Sequence, residues 1–279
     1  MRRTNVIIKF VVIYCGVLLT LSFVLLPLLW MVITSTQPEI NIVTIPQKVD
    51  LKESHSHYYA AMLRDPSFLT ALCTSSLVAL GTMIVCLILG SLASYPLARL
   101  HMPHKNKFMV GVLATRMLPR MILVLPMFLF IRQLGLLDTY WALLIVNIAF
   151  ILPYVIWMLK NFFEDIPRAL ELAARMDGCT RLGALFRIIL PVSAPGVAAT
   201  AIFIFLTTWN EFIFAFVLTS KNAKTVIVKL AEIQSSPTIE GAVGQMAAGM
   251  VLAVAPVVLI VIVLNQFIVR GLTEGAVKG

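Results

Sequence analysis

The sequence is poor in charge: only 13% of its 279 residues are Asp, Glu, Lys or Arg, about half the share of a soluble domain. With 60% hydrophobic residues and a mean hydropathy of +0.96, that scarcity excludes an ordinary soluble chain and indicates a polytopic membrane protein. Cysteine is equally sparse. Cys15, Cys73, Cys86 and Cys179 show no paired spacing, so neither a disulfide framework nor a zinc site is signalled. His55 with His57 and His101 with His104 have no third ligand at a recognisable spacing and read as solvated polar residues; no metal site is expected. No phosphate loop of the form GxxxxGKS or GxxxxGKT occurs, and no nucleophile–base pair is apparent. The chain is therefore not expected to be an enzyme. The net charge of +9 comes without a basic stripe interleaved with aromatics, which argues against nucleic acid.

What is present is a set of long apolar runs. A span needs about 20 mostly apolar residues, and six stretches qualify, at about 10–34, 69–97, 108–131, 140–162, 194–219 and 247–269. Arg2, Arg3 and Lys9 precede the first run as in a signal peptide. The run is too long for that and no small-residue cleavage site follows, so it reads as a retained span. Five of the six stretches carry proline inside, at Pro27, Pro96, Pro119 with Pro126, Pro153 and Pro256. Such prolines are tolerated where neighbours satisfy the freed carbonyls. The chain reads as one all-α transmembrane domain over 1–279.

Charge sets the orientation. With the N-terminus inside, the inner segments hold Arg2, Arg3, Lys9, Arg99, Lys105, Lys107, Lys160, Arg168, Arg175, Arg181, Arg187, Arg270 and Lys278. The outer segments hold only Lys48, Lys52, Arg64, Arg132, Lys221, Lys224 and Lys229, balanced by Glu39, Asp50, Glu53, Asp65, Asp138, Glu232 and Glu240. Both termini and the stretch 165–191 are expected in the cytosol.

That stretch, from Asp165 to Pro191, is the one long charged segment between apolar runs. Ile166-Pro167 suits a helix start with Asp165 as cap, and Asp177-Gly178 suits a C-terminal stop. About ten helical residues lie between, too few to span. At about 100° per residue, Ile166, Leu170, Ala173 and Ala174 share one face. Arg168, Glu171 and Arg175 share the other, where Glu171 can pair with both arginines. Leu172 falls beside those arginines, an apolar residue at a wet position. A second short helix follows from about Thr180, and Pro191 leads into the fifth span. A connector helix with no partner has the same pattern.

The segment also resembles a known signature. Importer permeases of the maltose-permease type, in the ATP-binding-cassette class, carry EAA, three residues, Gly, nine residues, then Ile, any residue, Leu and Pro. Here Ala173-Ala174, Gly178, Ile188, Leu190 and Pro191 stand at those spacings. Arg116-Met117-Leu118-Pro119, Gly135-Leu136-Leu137-Asp138-Thr139, Trp209-Asn210-Glu211-Phe212 and the tail 271–279 are similar to the sugar-import branch. The resemblance implies an importer type I permease fold with six transmembrane helices in a bacterial inner membrane. This chain would be the smaller permease of a pair. Its partners would be a larger permease, two ATPase subunits that bind ATP and Mg, an extracytoplasmic solute-binding protein and a sugar-like substrate. The implied ATPase-coupling residues are Arg168, Glu171, Leu172, Ala173, Ala174, Asp177, Gly178, Ile188, Leu190 and Pro191. One position departs from the pattern. Leu172 stands where the family has glutamate, with Glu171 one residue earlier. Either Glu171 replaces it from about 100° around the helix or the contact is apolar; the wheel favours an apolar one.

Charged residues inside spans are costly and mark function. Arg116 and Arg120 are four apart, on one face of a straight helix; Glu211, with Thr207 and Asn210, forms a polar face on the fifth. A Glu211–arginine pair across a cavity would neutralise both, while solute contact and gating are the other roles open to them. Asn147, Tyr154, Trp157, Trp209 and Asn210 complete the candidates for a translocation path. The alternative function is an ion-coupled secondary transporter using Glu211 with an arginine. Such a transporter would show repeat-related broken helices, and no convincing internal repeat is present.

Overall fold

The computed structural model describes residues 2–44, 57–235 and 241–276. His55, Lys48, Lys52, Asp50, Glu53, Glu240 and Lys278 lie outside the described residues. No strand occurs among the described residues, as expected where a bilayer leaves no water to satisfy backbone groups.

The helices are, in order, α1 (Arg2–Thr34), α2 (Glu39–Val43), α3 (His57–Arg64), α4 (Pro66–Arg99), α5 (Lys105–Ala114), α6 (Arg120–Gln133), α7 (Tyr140–Glu164), α8 (Arg168–Met176), α9 (Arg181–Ala184), α10 (Leu190–Val192), α11 (Ala194–Trp209), α12 (Ile213–Leu218), α13 (Val226–Ser235) and α14 (Ala242–Ala276). Four are long and apolar enough to cross a membrane unbroken, at Lys9–Thr34, Pro66–Arg99, Tyr140–Glu164 and Ala242–Val269. Two more crossings arise only from bent pairs. Lys105–Met117 meets Arg120–Gln133 at 89°, and Arg181–Val192 meets Ala194–Trp209 at 83°.

These bends correct two expectations. The third run, 108–131, is not one straight helix. Leu118 is extended (φ −70, ψ 123), as a residue before proline must be, and the chain turns there. The fifth, 194–219, breaks at 210–212, between α11 and α12. The prolines at 27, 96, 126, 153 and 256, by contrast, sit inside continuous helices.

The chain divides into two compact units. One comprises residues 1–69 with 230–254, the other 70–229 with 255–279. In the first, the Tyr58 ring lies against Gly241 and Gly244, where no Cβ would fit, and Ser35 and Tyr59 share a hydroxyl hydrogen bond of 2.6 Å. Every residue of α1 from Lys9 to Trp30 is exposed.

The second unit is built around α7. One apolar core joins Cys86, Tyr95 and Ala98 of α4 to Ile151, Val155, Leu159 and Phe163 of α7. It continues through Ile166, Leu185 and Ile189 to Ile204 of α11. Another joins Ile131 of α6 to Ala142 and Val146 of α7 and to Phe214 and Leu218 of α12. At Gly196 the first turn of α11 presses on the Phe162 ring, and a Cβ there would come within 3.0 Å of ring carbons. Small residues at such crossings let helix backbones approach in a membrane.

Candidate functional site

The stretch after α7 folds as an independent short helix, α8, held at both ends. Pro167 (φ −55) occupies the N-cap. It has no side-chain cap bond, so Asp165 does not cap the helix as expected. Proline suits an end where an N–H would lack an intrahelical partner. At the other end Gly178 takes φ +87, which costs glycine nothing. Gly178 N–H donates to Arg175 O at 3.2 Å and Cys179 N–H to Ala174 O at 3.0 Å, the paired bonds of a Schellman stop. Thr180 then caps α9, its hydroxyl accepting the Gly183 N–H at 3.1 Å. From Leu185 to Ile189 the chain winds as a π-helix before α10. Such segments are rare and commonly mark functional positions. Ser193 closes the turn, its hydroxyl donating to Ile189 O at 2.7 Å.

The two faces of α8 differ from the sequence expectation. Ala174 is buried, as expected, and Ile166 just before the helix is buried too. Ala173 and Leu170 are exposed. Glu171 is not on the solvent side with Arg168 and Arg175; it turns inward. Tyr95 Oη donates to its Oε1 at 2.5 Å and Arg99 Nε lies 3.2 Å from its Oε2. The outward face is instead Ala169, Leu172, Ala173 and Met176, at the i, i+3, i+4, i+7 spacing of an apolar stripe. Leu172 is 58% exposed and Met176 88%. Leu182 and Phe186 are exposed on the following segment. Arg168, Arg175, Asp177 and Gly178 are exposed as well, Ile188 and Leu190 are half-buried, and Pro191 is exposed. The docking segment is therefore apolar outward and ionic inward. At its base Glu164 is bridged by Lys105 and Lys160, the latter at 2.5 Å.

The polar residues of the spans fall into separate places. Arg116 and Arg120 lie on either side of the 89° bend rather than on one helix face. Each meets α7: the Arg116 guanidinium donates to Phe150 O and sits 5.5 Å from the Tyr154 ring centroid, while Arg120 lies 5.8 Å from that of Phe150. Phe150 O lies one residue beyond Ala149 O, the carbonyl left without a helical donor by Pro153. Tyr154 also contacts Trp157, at 5.4 Å, and Phe203, at 4.6 Å.

Among the described residues no ion pair joins Glu211 to either arginine. Glu211 is buried, and its two oxygens accept the N–H groups of Phe214 and Ala215, each at 2.9 Å. The break in the chain also separates the expected polar face. Asn210 is exposed and donates back to Leu206 O at 2.8 Å. Thr208, not Thr207, joins Glu211, Asn147, Ser75 and Thr225 around a tight polar pocket. Asn147 donates to Leu143 O at 2.9 Å, and Trp209 is buried against Phe205, centroids 5.4 Å apart.

Asp138 was not among the expected site residues. It is left-handed (φ 58), and its carboxylate accepts the N–H groups of Ser220, Lys221, Asn222 and Ala223 at 2.9–3.2 Å. Burial alone would raise its pKa; these four N–H groups outweigh it and hold the carboxyl well below the usual range. The only sequence signal was an aspartate in a turn, which tolerates the left-handed region.

Comparison with known proteins gives this arrangement its class. Residues 87–274 match the family described as "binding-protein-dependent transport system inner membrane component". The trehalose transport system permease protein SugB of Mycobacterium tuberculosis is 37% identical over 265 residues, 94% of this chain and 95% of that protein. The trehalose/maltose transport system permease protein MalG of Thermococcus litoralis is 32% identical and covers 98% of each chain. In fold, a bacterial ABC transporter involved in the import of the acidic polysaccharide alginate superposes with a TM-score of 0.74 at 22% identity, over 95% of this chain and 97% of that one. The chain belongs to the binding-protein-dependent transport system inner membrane component family, the permease subunits of ABC importers.

Proposed function

We propose that this chain is the smaller of two permease subunits in an ATP-driven importer of a sugar or sugar-like solute. The outward apolar stripe of α8, Leu172 with Met176, carries this reading: it is a docking face on a short helix fastened to the spans. Its occupant is an ATPase subunit, of which two supply ATP and Mg chemistry to the transporter. Both termini and α8 lie in the cytosol, an orientation supported by the lysine and arginine excess on that side. A larger permease completes the path and covers exposed spans such as α1. An extracytoplasmic solute-binding protein delivers the solute to the opposite face, and ATP-driven closure of the ATPases rocks the spans between inward- and outward-open states. The names of the sugar-permease relatives support the substrate class.

The outward contact is made by Leu172 and Met176 rather than by a carboxylate, because Glu171 is engaged inside. Arg168, Ala173, Asp177 and Gly178 border the docking face, while Ala174, Ile188, Leu190 and Pro191 hold the segment in place. Arg116, Arg120, Asn147, Trp209, Asn210 and Glu211 shape the path chiefly by holding its bends and its polar pocket. The test is reconstitution of the permease pair, the ATPases and the binding protein in liposomes. Uptake of a labelled disaccharide that needs ATP and survives collapse of the ion gradients is the expected result. Uptake by the permease alone under a proton or sodium gradient would overturn the proposal.

A further inference from the structure

The link between α8 and the spans is concentrated in three side chains. Tyr95 and Arg99 stand one turn apart on one face of α4, at the end of a 34-residue helix whose length of about 50 Å exceeds an apolar bilayer core of about 30 Å. Both reach across to α8. Tyr95 Oη donates to Glu171 Oε1 at 2.5 Å, and Arg99 Nε is 3.2 Å from Glu171 Oε2. The Arg99 guanidinium also donates to Ile166 O at 2.9 Å. One arginine thus holds both the backbone just before α8 and a carboxylate in its first turn. The Arg99 side chain is 3% exposed and that of Glu171 13%. The same core that buries Tyr95 contains Ala98, Leu159, Phe163, Ile166 and Leu185, so water does not enter to exchange these partners. Separating a buried charge from its partner is far costlier than stretching a surface pair. A push on α8 therefore carries the end of α4 with it before the cluster opens.

We propose that Tyr95, Arg99 and Glu171 form the joint that passes displacement of α8 into α4, and that they are positioning residues of the transport cycle. The division of labour on α8 follows. Leu172 and Met176 grip the partner, and Glu171, one position away and about 100° around the helix, is committed to the permease's own span. The inference rests on α8 being the ATPase-docking helix.

The test uses the complete reconstituted transporter and reads solute imported per ATP hydrolysed, alongside co-purification of the ATPase. Tyr95→Phe removes one hydroxyl and keeps the packed ring. Expected are ATPase co-purification and a maximal hydrolysis rate within about twofold of the unmodified complex, with import per ATP lowered by about threefold or more, the scale of one hydrogen bond to a charged group. Glu171→Gln lowers the ratio further, and adding Tyr95→Phe to it has little additional effect, as for residues of one network. An unchanged ratio in both variants would overturn the joint. So would loss of ATPase co-purification in Tyr95→Phe, which would make the cluster a folding element of α8 only. Leu172→Asp separates this from the underlying reading: a Leu172→Asp complex that still assembles and imports normally refutes α8 as the docking helix.

Discussion

The Glu211 carboxyl caps a helix that starts two residues after it, Oε1 taking the Phe214 N–H and Oε2 the Ala215 N–H at 2.9 Å each. Both donors are orphan groups of a helix N-terminus, and both are buried. Glu211→Gln presents an NH2 to one of them, leaving a buried donor unmet at a cost of about 1–3 kcal/mol. The expected result is a thermal midpoint lowered by several degrees in detergent, with uptake falling in parallel. Unchanged stability in Glu211→Ala would show that the cap contributes nothing.

Leu172→Ala and Met176→Ala remove apolar area from the outward stripe of α8. Burying a leucine side chain at an interface contributes about 1.5–3 kcal/mol, so each truncation is expected to weaken ATPase binding by about tenfold. Titration of detergent-solubilised permease pair with labelled ATPase measures this directly. Substitution of exposed Arg168 is expected to have a smaller effect, since a rim charge is worth about 0–1 kcal/mol.

Asp138→Asn is expected to loosen the loop 219–225. Deuterium exchange at amides 220–223 should quicken by about tenfold, the scale of one charge-assisted hydrogen bond at an exposed site. The sign of the pH dependence follows from the depressed carboxyl. Its contribution is complete above the unfolded pKa of about 3.9 and is lost only as pH falls through the lower folded value. Exchange in this loop should therefore be flat between about pH 5 and 8 once the intrinsic rate is divided out, and a transition in that range would contradict the assignment.

Gly196→Ala puts a methyl within 3.0 Å of the Phe162 ring, and the ring, wedged between α7 and α11, has to move. Overpacking of this kind costs about 1–3 kcal/mol. Lower yield and a lower thermal midpoint are expected, with near-normal uptake per assembled complex.

Hydropathy located the helices well where a run was continuous, as in α1, α4, α7 and α14. It could not see bends. Proline was a poor guide to them: Pro27, Pro96, Pro126, Pro153 and Pro256 sit within helices, Pro119 marks a real break, and the break at 210–212 has no proline. In the docking segment the Gly178 stop was legible, because a left-handed stop needs glycine at one position. Glu171 was not. A helical wheel sees only neighbours along the helix, and it set Glu171 beside Arg168 and Arg175. The residues that claim it, Tyr95 and Arg99, lie more than seventy positions earlier. The arginine pair failed for the same reason, since Arg116 and Arg120 share a face only if the helix between them is straight.

The π-helical turn at Leu185–Ile189 makes the length of this segment a matter of rotational phase. A π turn holds one residue more than an α turn, so removing a single residue there would let the chain relax to regular α-helix. Everything on one side would then swivel by about 100° relative to the other. The exposed Leu182 and Phe186 would leave the side on which they now sit, although no side chain of theirs had changed. One deleted residue would act like a gear slipping a tooth, so the count between Gly178 and Pro191 sets the aim of the docking face as firmly as any residue on it.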